Sequence, residues 1–233
     1  FELISVTDFS TSNKVYFEED DSTSVDYYEY FSGAEIEQFT QELRFVGKTD
    51  SLQWIAGAFY MSIENTFFGS FPSPINLYFA RYDAEQDTKT WSVFGQIEYD
   101  LTEDLALTVG ARWNDDEKDM DYQFTQCDDN DQAFDGFCPQ NGVTTDPVAA
   151  AADPAGLFGY VIDGVPRKYS RSDGDYSGKI QLDWRYADEK LFYASLSRGL
   201  KGGGFNASLD GFLTDDQVPF DSEILTAYEI GSK

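Results

Sequence analysis

Histidine is absent from all 233 residues, which removes the base of Ser-His and Asp-His hydrolases and every imidazole metal ligand from this chain. No enzymatic activity is expected of it. Basic residues are scarce: Lys and Arg number 16 against 43 Asp and Glu, for a net charge of -27. The sequence shows no local Lys/Arg cluster, so a phosphate backbone is repelled and nucleic acid is not an expected partner. Anionic ligands in general are disfavoured on the same ground. Long apolar runs are missing too. The nearest candidate, Val148–Ile162, is interrupted by Asp153 and Pro154 and falls short of the ~18 apolar residues that a membrane-crossing helix needs. The opening FELISVTDF has no charged start, apolar stretch or small-residue cleavage site, as expected of a mature chain or an internal segment.

What the chain has is aromatic surface, 17% of residues, led by 20 Phe and 15 Tyr. A disordered acidic chain lacks such residues. Apolar positions recur with period two, and no 3.6-residue period persists, so the expected class is all-β and antiparallel. In Lys89–Leu101, Trp91, Val93, Ile97, Tyr99 and Leu101 share one face, while Thr90, Ser92, Gln96, Glu98 and Asp100 share the other. Leu105–Asn114 repeats the pattern after a three-residue link, and Tyr176–Trp184 with Leu191–Leu200 forms a second hairpin. Glu37–Val46 turns into Leu52–Ile63; with Phe1–Phe9 and Glu223–Lys233 the total is about eight strands.

Connection length alternates along the chain. Short links lie near 47–51, 102–104 and 186–189, whereas Ser10–Gly33, Asn65–Asp87, Gln123–Ser172 and Lys201–Ser222 read as long loops. Short turns at one end, long loops at the other, and strands near the ten residues that cross a bilayer at a tilt are the pattern of an outer-membrane barrel. Trp54, Tyr60, Trp91, Tyr99, Trp113 and Trp184 fall near strand ends, where amphipathic rings form interfacial girdles. Alternation alone also fits a soluble sandwich. The mid-strand charges Glu42, Arg44, Glu98, Arg112, Lys179 and Asp183 suit a watery or plugged lumen, and equally the wet surface of a sandwich.

Five motifs then stand in order: FTQELRF (Phe39–Phe45), Trp-Ile-Ala-Gly (Trp54–Gly57), LTVGARW (Leu107–Trp113), SRGLKGGGF (Ser197–Phe205) and YEIGSK (Tyr228–Lys233). In sequence and spacing they resemble the barrel region of TonB-dependent receptors. The resemblance implies an antiparallel transmembrane β-barrel of about 22 strands plugged by a separate domain, of which residues 1–233 supply about a third of the wall. It implies the outer membrane of a Gram-negative bacterium, surrounded by lipid and lipopolysaccharide, and a TonB complex reached through the plug. It also implies import of a bulky nutrient of the siderophore-iron, haem, cobalamin or glycan class. Because the family pattern continues past Lys233, the chain is expected to be internal to a longer one. Ligand capture then belongs to the long loops, with Tyr78, Phe79, Arg81, Tyr160, Arg167 and Tyr169 as contact candidates.

The stretch Cys127–Cys138 holds both cysteines and, with Asp128, Asp129, Asp131 and Asp135, a set of hard oxygen ligands. A local disulfide closing the loop is expected, free thiols being the alternative. The carboxylates suit calcium without following the EF-hand spacing, and a solvated acidic loop is the alternative. Asp115, Asp116, Glu117, Asp119 and Asp121, with Glu18–Asp21, could meet lipopolysaccharide phosphates through divalent cations. Gly202, Gly203 and Gly204 lack the Lys-Ser/Thr of a phosphate loop and read as a bend at the barrel rim. Two rival architectures stay open: a complete eight-stranded barrel with a structural or adhesion role, and a secreted glycan-binding β-sandwich.

Overall fold

The computed structural model describes residues 1–19, 22, 29–73, 78–128, 166–187, 189–206 and 215–233. Eight long strands form one antiparallel sheet: β1 (Glu2–Glu19), β2 (Glu29–Lys48), β3 (Leu52–Ser73), β4 (Tyr78–Asp100), β5 (Leu105–Asp128), β6 (Arg167–Ala187), β7 (Lys190–Lys201) and β10 (Glu223–Ser232). Each pairs only with its neighbours in the order β1-β2-β3-β4-β5-β6-β7-β10. Between β7 and β10 the chain forms a separate small ladder, β8 (Gly204–Phe205) with β9 (Pro219–Phe220). The tight turns are closed by backbone bonds such as Thr49 N–H to Leu52 O at 2.8 Å and Leu101 N–H to Leu105 O at 2.8 Å. Glu189, in the β6–β7 turn, adopts a positive φ of 61°.

The burial pattern separates the possible architectures. Large apolar side chains on one face are exposed, with Val93 at 49% and Ile97 at 44%, while Ser92 and Thr88 on the opposite face are buried at 1% and 8%. A soluble sandwich does the reverse, and it needs a second sheet to cover its apolar face. Here one curved sheet turns its apolar side outward and its hydroxyls and charges inward, the arrangement a hydrocarbon solvent selects. The sandwich alternative is therefore corrected. The edge strands β1 and β10 make no ladder with each other, so these eight strands do not close into a small barrel either.

The register sets the outward aromatics into two belts. Tyr60 lies opposite Trp91 and Trp113 opposite Tyr176, while Trp54, Tyr99 and Trp184 mark the other edge, where Trp184 and Tyr186 pack at 5.6 Å between ring centroids. From Trp91 to Tyr99 a strand rises about 26 Å, or about 20 Å along the membrane normal at the usual tilt. That approximates the hydrocarbon layer.

The strands run well past this band, and here the structure departs from the sequence expectation. Much of what reads as long loops in Ser10–Gly33 and Asn65–Asp87, and both ends of Gln123–Ser172, is strand: β4 begins at Tyr78, β5 continues to Asp128 and β6 begins at Arg167. Beyond the upper belt the outward positions meet water and become Asp83, Glu85 and Asp87 on β4 and Asp115, Glu117, Asp119 and Asp121 on β5. Apolar contrast fades there, but the backbone ladder is indifferent to which solvent its side chains face.

Candidate functional site

Above the upper belt the inward face changes character. Tyr82 and Ala84 of β4, Met120 and Tyr122 of β5 and Val218 from the β7–β10 connection form a buried cluster, against which Phe67, Tyr169 and Phe205 pack. Tyr82 stacks on Tyr122 with ring centroids 6.2 Å apart and planes 14° from parallel. The Tyr82 hydroxyl lies 3.0 Å from that of Tyr30. Burial first, then this hydrogen bond, raises the Tyr82 phenol above its ordinary range. The period-two series Lys118, Met120, Tyr122 puts these side chains on the inner face, where they support the folded-back connection.

Three cations line the same inward face beside this aromatic floor. Lys118 lies directly opposite Arg171 in the β5–β6 ladder, and Arg167 lies opposite Tyr122. Arg171 is held by Asp173, with Nη2 donating to Oδ1 at 2.7 Å. Its guanidinium is stabilised in the charged form chiefly by that hydrogen bond, against desolvation, with Asp221 adding a weaker share. The folded-back connection supplies further partners. Arg171 Nη2 reaches Asp221 Oδ1 at 3.3 Å, Arg167 Nη1 reaches Asp215 Oδ1 at 3.1 Å, and the Tyr169 hydroxyl donates to the same oxygen at 3.3 Å. Lys118 Nζ donates to the Gly203 carbonyl at 2.5 Å. A Cβ on Gly203 would stand 2.4 Å from Arg171, and one on Gly202 would stand 2.8 Å from the Asp116 carboxylate. These glycines therefore let the chain lie flat on the wall, a close-approach role beyond the bend expected of them.

Deeper, within the membrane-spanning part, the inward wall is polar, and several of its groups pair within it. Arg112 sits over the Phe59 and Phe94 rings at 5.4 and 5.7 Å and donates from Nε to Asn114 Oδ1 at 2.6 Å. Arg44 pairs with Glu42, and the Gln181 amide donates to both oxygens of Asp183 at 2.9 Å.

The expected contact residues divide. Arg167 and Tyr169 lie on β6 and face inward, at the mouth cluster. Arg81 lies on the outer face of β4, bound to Asp83 at 2.6 Å and over the Phe68 ring at 4.7 Å. Tyr78 and Phe79 open β4 opposite Asp128 and Cys127, a strand position where a loop is expected. Tyr160, Cys138, Asp129, Asp131 and Asp135 lie outside the described residues, so neither the disulfide nor the calcium expectation meets a described site. Among the described residues no group of three acidic side chains is arranged to hold a metal ion. Lys118 and Arg171, which the linear sequence does not single out, are brought together by register alone.

Comparison with known proteins agrees with this geometry. A family model described as the TonB dependent receptor-like β-barrel matches residues 4–233. Among solved structures, the ferric yersiniabactin uptake receptor FyuA from Yersinia pestis superposes with a TM-score of 0.67 at 14% identity, over 99% of this chain and 30% of that one. The siderophore receptor PiuA from Acinetobacter baumannii gives 0.63 at 11% identity, over 99% and 34%. The copper transporter OprC gives 0.63 at 14% identity over the same shares. At these identities the likeness is one of fold, and the chain spans about a third of the length of the structures it matches. With an open eight-stranded sheet, an outward apolar band between aromatic belts and a family match along nearly its whole length, the chain belongs to the TonB-dependent receptor family, as a stretch of its β-barrel wall.

Proposed function

We propose that residues 1–233 form part of the wall of an outer-membrane receptor of a Gram-negative bacterium that imports a bulky nutrient with energy delivered by TonB. The observation that carries this reading is the inverted burial of the sheet, apolar outside and polar inside, topped by an inward-facing aromatic and cationic mouth. A wall of this kind supplies passage and ligand contact, and the plug that TonB engages lies in other residues. Of the expected contacts, Arg167 and Tyr169 are best placed to meet a ligand. The nutrient belongs to the siderophore-iron, haem, cobalamin or glycan class. Outside the wall, Asp115, Glu117, Asp119 and Asp121 of the expected acidic run point outward on β5 above the upper belt, where they face lipopolysaccharide, whereas Asp116 faces inward and accepts from Thr90 at 2.7 Å.

Uptake in intact cells tests the reading. A strain lacking the full-length receptor is expected to lose one member of a panel of ferric siderophores, haem, cobalamin and oligosaccharides, and a TonB-null strain to lose the same one. Unchanged uptake of every member would overturn it.

A further inference from the structure

The two sides of β6 are used unequally. Its ladder with β5 runs up to Arg167, opposite Tyr122, but its ladder with β7 ends at the pair Gly178 and Arg198. From there β7 continues to Lys201 paired with β10, and among the described residues no strand pairs with β6 on that side. The direction of the unused groups follows from the register. Arg185 N–H donates to Asp104 O across the β5 side, and the hydrogen-bonding groups of a strand alternate sides residue by residue. The amides of Lys168, Ser170, Ser172, Gly174 and Tyr176 therefore point away from β5, into the gap above the fork. At its base the Tyr176 carbonyl accepts from the Arg198 guanidinium, a side chain standing where a strand's N–H would be. Arg198 is fixed there by Asp175 at 2.7 Å and by the Tyr176 ring at 4.0 Å. On the β7 side, a Cβ at Gly199 would meet nothing within 4 Å. The connection passes behind the gap, with Gly202 and Gly203 against Asp116 and Arg171 of the inner face. Sheet edges are usually guarded by proline, a bulge or charge, yet between Lys168 and Tyr176 the edge positions are Ser170, Ser172 and Gly174, all exposed.

The outward face selects the strand that fits. Across β6 from the gap, Asp119 lies opposite Ser170, Glu117 opposite Ser172 and Asp115 opposite Gly174; Lys89, opposite Glu117 on β4, is the one cation in these rows among the described residues. Strands lie about 4.8 Å apart, so a long side chain on a strand beyond β6 has about 10 Å to span, over two serines and a glycine, to reach these carboxylates. Lys168 makes the one-strand version of this bond, to Asp121 at 2.5 Å.

We propose that the upper edge of β6, from Lys168 to Tyr176, is a strand-addition site at the outer rim of the wall, and that its occupant is an extended segment of another polypeptide with Lys or Arg at alternate positions. Main-chain bonds to the edge supply affinity, and the alternate cations supply selectivity. The site lies on the edge and outer face, apart from the inward cluster, and does not depend on which nutrient is imported.

The test uses the full-length receptor in detergent at low ionic strength and the fluorescence anisotropy of a labelled peptide of about nine residues, alternating Lys and Thr. Binding is expected. In the ladder the Lys amides face β6, so N-methylation of these, which removes donors and keeps every charge, is expected to weaken the peptide at least about 10-fold. N-methylation of the Thr amides, which face away, should leave affinity within about 2-fold. On the receptor, Ser172→Pro removes one edge donor and spares the β5 ladder, because the Ser172 amide faces the gap; it is expected to cost about 10-fold, and Ser172→Ala nothing. Glu117→Gln with Asp119→Asn should weaken binding about 5-fold and flatten its salt dependence. The methylated peptides report on the unaltered receptor, so the test stands if Ser172→Pro fails to fold. Equal binding of the two methylated peptides would mean adsorption by charge alone and would overturn the site. So would no binding to the unaltered receptor, the result if its own residues or a second copy cover the edge. A peptide alternating Glu and Thr that binds equally well would overturn the cationic occupant.

Discussion

At the residue scale, the mouth depends on two features whose removal has opposite controls. Gly203→Ala sets a methyl group against the Arg171 guanidinium, which Asp173 holds in place, so overpacking of about 1–3 kcal/mol is expected to lift the connection from the wall. Limited proteolysis of the full-length receptor should then cut the 202–221 region several-fold faster. Gly199→Ala, where a Cβ meets nothing within 4 Å, should leave the cleavage rate unchanged. Tyr82 offers a spectroscopic handle. Its phenol is raised by burial and by the Tyr30 hydrogen bond, so the neutral form is favoured in the folded state. The associated stability is complete below the ordinary tyrosine range near pH 10 and is lost as pH climbs beyond it. In an absorbance titration at 295 nm, Tyr82→Phe should remove one late-titrating tyrosine; loss of an ordinary one instead would contradict the buried placement.

At the element scale, each strand reports its two solvents. Val93→Arg places a charge on the outward face between the belts, where about 2–4 kcal/mol is the usual cost at mid-depth. Gln96→Arg on the same strand faces the lumen and should cost far less. The amount of folded receptor in outer membranes, read from its heat-modifiable mobility on gels, should drop strongly for the first and little for the second; equal losses would mean the faces are assigned the wrong way round. The row Glu37, Glu64, Asp87 and Asp119 sets like charges directly opposite one another in the ladder, which is unfavourable in water. Asp87→Asn is therefore expected to stabilise the receptor by up to about 1 kcal/mol at low salt with chelator present, with the gain shrinking as millimolar magnesium or higher ionic strength screens the row. A gain that persists unchanged in magnesium would speak against an electrostatic origin.

At the scale of the whole molecule, the open sheet has unpaired edges on β1 and β10, and edges of this kind recruit other strands. Residues 1–233 expressed alone are expected to associate through them, and not to give a monodisperse monomer in detergent. A monomer with heat-shifted mobility would revive the small closed barrel. How much of this was readable beforehand follows from solvent contrast. Within the membrane band, lipid and lumen write alternating side chains, so the lower end of the strand expected at Lys89–Leu101 matches β4 to within a residue, while its upper end falls 11 residues short of Tyr78. Above the band both faces are wet, and β4 and β5 continue through sequence that has the look of loops. The mouth lay further out of reach: Lys118 sits in the acidic run NDDEKDMDY, and nothing local announces that Arg171, far along the chain, stands opposite it.

By itself, then, the sequence determined the all-β class, the two faces, the belts, the tight turns and the family, because each is written by period-two contrast and short-range turn chemistry. Only the tertiary structure decided how far the strands extend, that the apolar face points outward, and that Arg167 and Arg171 meet Asp215 and Asp221 while Lys118 meets the Gly203 carbonyl. Those outcomes depend on ladder register and on the fold-back of the β7–β10 connection, which pair residues too distant in sequence for any local pattern to record.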